Sequence, residues 1–272
     1  VISFYVYKRQ GKFMTQAVTN PAGESAIVDS QHLLSPQQVH FFETFGFLKI
    51  PGLFSSDIDE IIGGFEDLFG DQNQPVWETQ EALHGDARRV IIPGFIEQSP
   101  RLAPLQHDPR ILGIVQSIVG PDSTWASSDG NLFYCESYWH SDDYAAPLHH
   151  YHVKLSFYLD DLTGHNGAIR IIPGSHFHNQ TFAKTLRKDF KDSAKVSELY
   201  GISGGEIPSI TIESTPGDLI IWNFRTIHGS YNGGERRRLF SMNFGEETAG
   251  SHDERQRPNK PIPAADGPNN VT

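Results

Sequence analysis

Between residues 150 and 159 the chain alternates with a period of two. Tyr151, Val153, Leu155, Phe157 and Leu159 share one face, while His150, His152, Lys154, Ser156 and Tyr158 share the other. Successive side chains on a strand leave on opposite sides, so this segment reads as a strand with one apolar face. Its polar face meets either solvent or an internal cavity. Three polar-tipped rings on that face favour the cavity. A second strand is expected after the Pro216-Gly217-Asp218 turn, where Leu219-Ile220-Ile221-Trp222 forms a continuous apolar run.

The first hundred residues follow a different period. Ser35-Pro36-Gln37-Gln38 supplies an N-cap, a proline at the first helical position and a capping-box glutamine. The helix behind it carries Val39, Phe42 and Phe45, ends at Gly46 and leads into a short strand, Phe47-Leu48-Lys49-Ile50. Ser56-Asp57 starts a second helix with Ile58, Ile61, Ile62, Phe65 and Phe69 on one stripe. Asp108-Pro109 starts a third, stopped at Gly120-Pro121. Between them, residues 71–107 are mostly polar, with Val90-Ile91-Ile92 as a strand candidate before the Pro93-Gly94 turn and the remainder placed at a substrate mouth. From Trp125 onward the pattern is strands and turns. Residues 1–30 read as a flexible arm, with 1–13 an extension upstream of a natural start at Met14. Residues 31–249 form one domain with a lid insertion at 177–210, and residues 250–272 form a mobile tail.

The candidate chemistry sits in the strand-rich half. In Tyr138-Trp139-His140-Ser141-Asp142-Asp143, His140 and Asp142 are two apart and leave one face of an extended chain. An imidazole and a carboxylate are two ligands of a 2-His-1-carboxylate site for Fe(II), which keeps positions open for other ligands. His228, just past the apolar strand, offers the third. Arg237, in Arg236-Arg237-Arg238, offers a fork of donors suited to the far carboxylate of a 2-oxo acid. Asp129, Asn131, His152, Lys154 and Tyr158 are further pocket candidates, with Asn131, His152 and Lys154 placed on the co-substrate and Asp129 and Tyr158 on the substrate. His149, His150, His152, His165, His176 and His178 compete as ligands. His149 and His150 are adjacent on a strand and point apart, and His176 closes a Pro-Gly-Ser-His turn that suits backbone capping.

The order His-x-Asp, Gly167-x-x-Arg170-x-Ile172-Pro173-Gly174-Ser175-His176, Pro-Gly-Asp before a strand, His228-Gly229-Ser230 and then arginine resembles the phytanoyl-CoA dioxygenase family over roughly residues 34–244. The resemblance implies a mainly β fold with flanking helices: a double-stranded β-helix, a jelly-roll or cupin-like barrel, behind an N-terminal helical layer. It also implies Fe(II), 2-oxoglutarate and O2 as cofactor and co-substrates. His140, Asp142 and His228 match the metal ligands, and Arg237 matches the 2-oxoglutarate anchor, with Arg238 as its rival. The segment Pro147-Leu148-His149-His150-Tyr151-His152 looks closer to bacterial members of natural-product pathways. The implied reaction is oxidation of an unactivated C–H bond in a small molecule, by hydroxylation, cyclisation or desaturation. An aspartate at 142 is at odds with halogenation.

Composition narrows the partners. A formal charge of −11 over 272 residues offers no basic face for nucleic acid, and it sits uneasily with a highly anionic CoA thioester. Cys135 is the single cysteine, so no intrachain disulfide forms and a reducing cytoplasm is expected. Its place before the metal pair suits core filling better than nucleophilic chemistry. No apolar run is long enough to cross a membrane as a helix. Two other classes compete with the oxygenase. One is a cupin-type metal hydrolase or isomerase, which has no need of Arg237; the other is a non-catalytic β-barrel binding module.

Overall fold

In the computed structural model, residues 2–9, 12–19, 32–70, 77–78, 89–143, 151–233 and 236–246 are described. The chain begins with β1 (Ile2–Arg9) and β2 (Lys12–Thr19), followed by α1 (Pro36–Phe45), β3 (Phe47–Ile50) and α2 (Ile58–Gly70). Next come β4 (Trp77–Glu78), β5 (Arg89–Pro93), α3 (Pro109–Ile118), β6 (Ser123–Phe133), β7 (Ser137–His140), β8 (His152–Tyr158) and β9 (Ile169–Ile171). The last part holds α4 (Thr181–Asp189), α5 (Val196–Tyr200), β10 (Ile210–Ile212), β11 (Leu219–Asn223), β12 (His228–Ser230) and β13 (Arg237–Glu246).

Two antiparallel sheets face each other. The larger has the order β3-β11-β8-β13-β6-β5-β4 and the smaller β10-β9-β12-β7. The alternation that begins at Tyr151 decides what each side of the larger sheet does. Val153, Leu155, Phe157 and Leu159 are buried, and they join Phe240, Met242, Phe244, Leu219 and Ile221 in a core against Phe42, Ile61, Phe65, Ile111 and Val115 of the helices. Phe157 stacks on Phe240 with ring centroids 4.6 Å apart. The N-terminal helices therefore cover the outer face of this sheet, and its inner face is left to the cavity. The jelly-roll architecture expected from the motifs is the one observed.

Local signals in the first half act as written. Ser35 caps α1, accepting from the Gln38 N–H, while the Gln38 side chain accepts from the Ser35 N–H. Gly46 ends the helix at φ +82°, where a Cβ would lie 2.4 Å from His176 Nδ1, so only glycine fits both the turn and the contact. His176 meets the Glu43 carbonyl through Nε2 at 3.1 Å, which is a capping role and not a ligand role.

Three expectations change. The segment expected as an arm holds a hairpin, in which β1 and β2 pair with each other as a separate two-stranded sheet. Met14 lies within β2, opposite Tyr7. Residues 20–31, His149, His150 and the tail at 250–272 lie outside the described residues. The segment expected as a lid is anchored to the smaller sheet. Phe190, Val196 and Ile207 pack with Trp139, Ile172, Ile227 and Tyr231, and Trp139 Nε1 donates to the Gly204 carbonyl at 2.8 Å. Buried aromatic area holds the segment on the sheet. None of its residues lines the cavity, although Arg187 donates to Ser141 Oγ at 2.6 Å and to Asp143 Oδ1 at 2.7 Å, on either side of Asp142. Finally, the strand carrying His140 stops there. Asp142 sits in the following turn, where its N–H donates to the Phe224 carbonyl at 2.8 Å.

Candidate active site

His140 and His228 face each other across the β7–β12 pairing, each at a strand end. Their strand neighbours Trp139 and Ile227 point the opposite way into the core behind the smaller sheet, which turns both imidazoles toward the cavity. One ligand atom from each of His140, Asp142 and His228 lies within 4.8 Å of the others. His140 Nδ1 is 2.6 Å from the Tyr138 carbonyl and His228 Nδ1 is 2.9 Å from the Thr226 carbonyl, which puts the proton on Nδ1 and the lone pair on Nε2. Two neutral imidazoles and one carboxylate on one side of a cavity fit Fe(II) with open positions.

Electrostatics keep these groups in their ligating forms. Burial, with His228 close by, pushes the His140 imidazole down to about 3, and burial lowers His228 as well. Burial works against ionisation of Asp142. The Lys154 ammonium, the two histidines and the Trp222 hydrogen bond outweigh it and hold the carboxyl below the usual carboxylate range. Lys154 Nζ lies 2.9 Å from Asp142 Oδ1, and Trp222 Nε1 donates to Oδ2 at 2.9 Å. Trp222 thereby orients the ligand, and Trp222→Phe should weaken metal binding about 10–100-fold in a metal titration. An unchanged affinity would remove this role.

A pH dependence of the metal-free protein follows. An unfolded histidine has a pKa of about 6.5, so below that pH the unfolded chain takes up protons that the folded site does not. Stability should therefore be fully present above about pH 6.5 and be lost as pH falls toward 3, the His140 value. Denaturant titrations at about pH 7 and about pH 5 measure the loss, and bound metal should oppose it. Equal stability at both would contradict the site electrostatics.

A cavity of about 340 Å³ opens between the sheets. Asp129, Asn131, His140, Asp142, Lys154 and Tyr158 line it, and so do His228 and Arg237. Arg237 is 3% exposed, and it donates through Nη1 to the Gly167 carbonyl at 2.6 Å and to Ser230 Oγ. No carboxylate pairs with it among the described residues, and its buried Nε has no partner. Arg238 is committed elsewhere, to Asp160 and Glu66. The two neighbours leave opposite faces of β13, so Arg237 and not Arg238 lines the cavity. Gly167, at φ +100°, allows the approach, since a Cβ there would lie 2.5 Å from Arg237 Nη1. Tyr158 keeps its phenol proton, with burial raising its pKa to about 12.

Two pocket candidates behave otherwise. His152 is not among the cavity-lining residues; its ring packs 5.4 Å from that of Phe224, at the strand's end. Asn131 lines the cavity, but its Oδ1 accepts from Arg89 Nε at 2.8 Å and its Nδ2 donates to Asp129 at 2.6 Å. Cys135 is a free thiol packed against the apolar cluster at Phe133 and Leu239. Arg89, Trp222, Ser230 and Asn243 escaped the sequence reading. For Asn243 the signal was available: Arg237, Leu239, Ser241 and Asn243 alternate with Phe240, Met242 and Phe244, as a two-sided strand requires.

Comparisons with known proteins agree with this geometry. The family model described as Phytanoyl-CoA dioxygenase (PhyH) matches residues 42–239. The chain is 27% identical over 236 residues to an ectoine dioxygenase of Bordetella parapertussis, covering 76% of this chain and 72% of that protein. It is also 27% identical over 231 residues to one from Stutzerimonas stutzeri, covering 72% and 71%. Among solved structures, the non-heme α-ketoglutarate-dependent carbocyclase SnoK from nogalamycin biosynthesis superposes with a TM-score of 0.62 at 20% identity, covering 78% of this chain and 84% of that one. HygX from Streptomyces hygroscopicus, with nickel and 2-oxoglutarate bound, gives 0.60 at 21% identity, covering 78% and 87%.

Proposed function

This chain belongs to the phytanoyl-CoA dioxygenase family, and from that premise we propose that it oxidises a C–H bond of a small polar molecule, with hydroxylation as the simplest outcome. It is an oxidoreductase of the iron- and 2-oxoglutarate-dependent dioxygenase class, so the hydrolase, isomerase and non-catalytic alternatives fall away. Bound iron, with 2-oxoglutarate and O2, supplies the oxidising power; the chain supplies position and a dry enclosure. One observation carries the residue assignment. The His140, Asp142 and His228 cluster shares one cavity with a buried arginine that has no carboxylate partner among the described residues.

In this reading, His140, Asp142 and His228 hold the metal. Arg237 pairs with the distal carboxylate of 2-oxoglutarate, and Tyr158 donates a hydrogen bond to the same group through its phenol O–H. Ser230 and Gly167 keep the Arg237 fork pointed inward. Lys154 keeps Asp142 ionised before the metal arrives. The small cavity and the formal charge of −11 favour a compact substrate over an anionic acyl-CoA. A secondary metabolite fits this description, in line with relatives named for ectoine and a neighbour holding hygromycin B. Among the described residues no helix is long and apolar enough to cross a membrane.

The test is anaerobic addition of Fe(II) and 2-oxoglutarate to metal-free protein. A weak visible charge-transfer band, appearing only with both present, is the expected result. Tight zinc binding with no such band would overturn the reading.

A further inference from the structure

Arg237 lies at one end of the inner face of β13, and the other end has the opposite character. Ser241 pairs with Asp129 of β6, and Asn243 pairs with Ser127 of β6 and Lys154 of β8. Asn243 lies six residues along the strand from Arg237, about 20 Å at strand rise. The cavity is thus cationic at the Arg237 end and acceptor-rich at the Asp129 end.

Asp129 lines the cavity and accepts hydrogen bonds from Asn131 Nδ2 at 2.6 Å and Asn243 Nδ2 at 3.5 Å. Among the described residues no Lys or Arg forms an ion pair with it. Besides Arg237, two other cations line the cavity, and each is engaged elsewhere: Lys154 by Asp142 at 2.9 Å and Arg89 by Asn131 Oδ1 at 2.8 Å. A second, independent acceptor stands beside it. Asn243 is 5% exposed and lines the same cavity, and its Oδ1 is buried with no hydrogen-bond partner. The amide orientation is set by its neighbours, because Nδ2 donates to Ser127 Oγ at 2.7 Å and faces the Asp129 carboxylate. With the amide reversed, Oδ1 would confront that carboxylate. A buried acceptor left unpaired is costly, and so is a cavity carboxylate without a cation.

Building on the assignment of the metal and Arg237 ends, we propose that the substrate carries a protonated amine or amidine, bound by the Asp129 carboxylate and Asn243 Oδ1. An ammonium or amidinium group presents several N–H donors and a positive charge, which meets both needs at once. 2-Oxoglutarate, a dianion, is repelled from this wall and drawn to Arg237, so the two molecules sort themselves to opposite ends. Asp129 is then a specificity-determining residue.

The experiment is calorimetric titration of the protein loaded with Mn(II) and 2-oxoglutarate, using cyclohexylamine, cyclohexanol and cyclohexanecarboxylate as matched probes. The amine should bind at least about tenfold tighter than the alcohol, and the carboxylate weakest, as a charge-assisted hydrogen bond implies. In Asp129→Asn the amine should lose about tenfold while the alcohol changes little. An alcohol or carboxylate that matches the amine in the unsubstituted protein overturns the proposal, whether or not the variant folds. An amine preference that survives in Asp129→Asn also overturns it. A separate titration with 2-oxoglutarate reports on the Arg237 end, so failure of the co-substrate assignment shows there and not in the amine series.

Discussion

Arg237→Met should raise the concentration of 2-oxoglutarate needed for half-maximal turnover by about 10–100-fold, while leaving metal affinity nearly intact. The magnitude is that of a hydrogen-bonded charge pair, about 1.5–3 kcal/mol. The same substitution should leave the metal-free protein as stable as before, or more so. Burial opposes the charge on Arg237, which has no carboxylate partner among the described residues, and a side chain of similar volume avoids that cost. Arg238→Ala should do the reverse. It breaks the pairs with Asp160 and Glu66, lowering stability without touching the 2-oxoglutarate requirement. Steady-state kinetics against 2-oxoglutarate and denaturant unfolding of both variants read out the two effects. A loss of 2-oxoglutarate affinity in Arg238→Ala, and none in Arg237→Met, would reverse the assignment.

The second large effect is expected at Asp142. Asp142→Asn keeps the shape and the oxygen that accepts from Trp222, but it removes the charge that draws a cation. Iron binding should fall beyond the 10–100-fold typical of a supporting residue, and turnover with it. Stability should fall too, by about 3 kcal/mol, because Lys154 loses the carboxylate 2.9 Å away in a largely buried pair. Adding Lys154→Met should restore much of the stability and none of the activity. Recovery of turnover in that double variant would show that Asp142 serves the fold and not the metal.

Much of this was legible in the chain. Helix caps at Ser35 and Asp108, the turn at Pro216-Gly217-Asp218 and the period-two pattern at 151–159 are local, because each depends on backbone geometry within a few residues. The ligand types and their order were likewise readable, since a His-x-Asp and a later histidine need no fold to be noticed. The sequence by itself thus determined the N-terminal helices, the strands at 152–158 and 219–223, the two-sided character of β8 and the kinds of group on offer.

Only the tertiary structure decided which of these groups meet. Arg237 and Arg238 are indistinguishable in sequence; the register of β13 against β6 and β8 turns one into the cavity and the other to Glu66 and Asp160. His152 satisfies the same alternation as Lys154, yet it sits at the strand's end against Phe224. Trp222 reaches Asp142 across 80 positions of chain, and the segment after His176 packs on a sheet through residues far from it in sequence. Such contacts follow from how two sheets and a helical layer bury their apolar faces together. That is a property of the whole core, and no local window contains it.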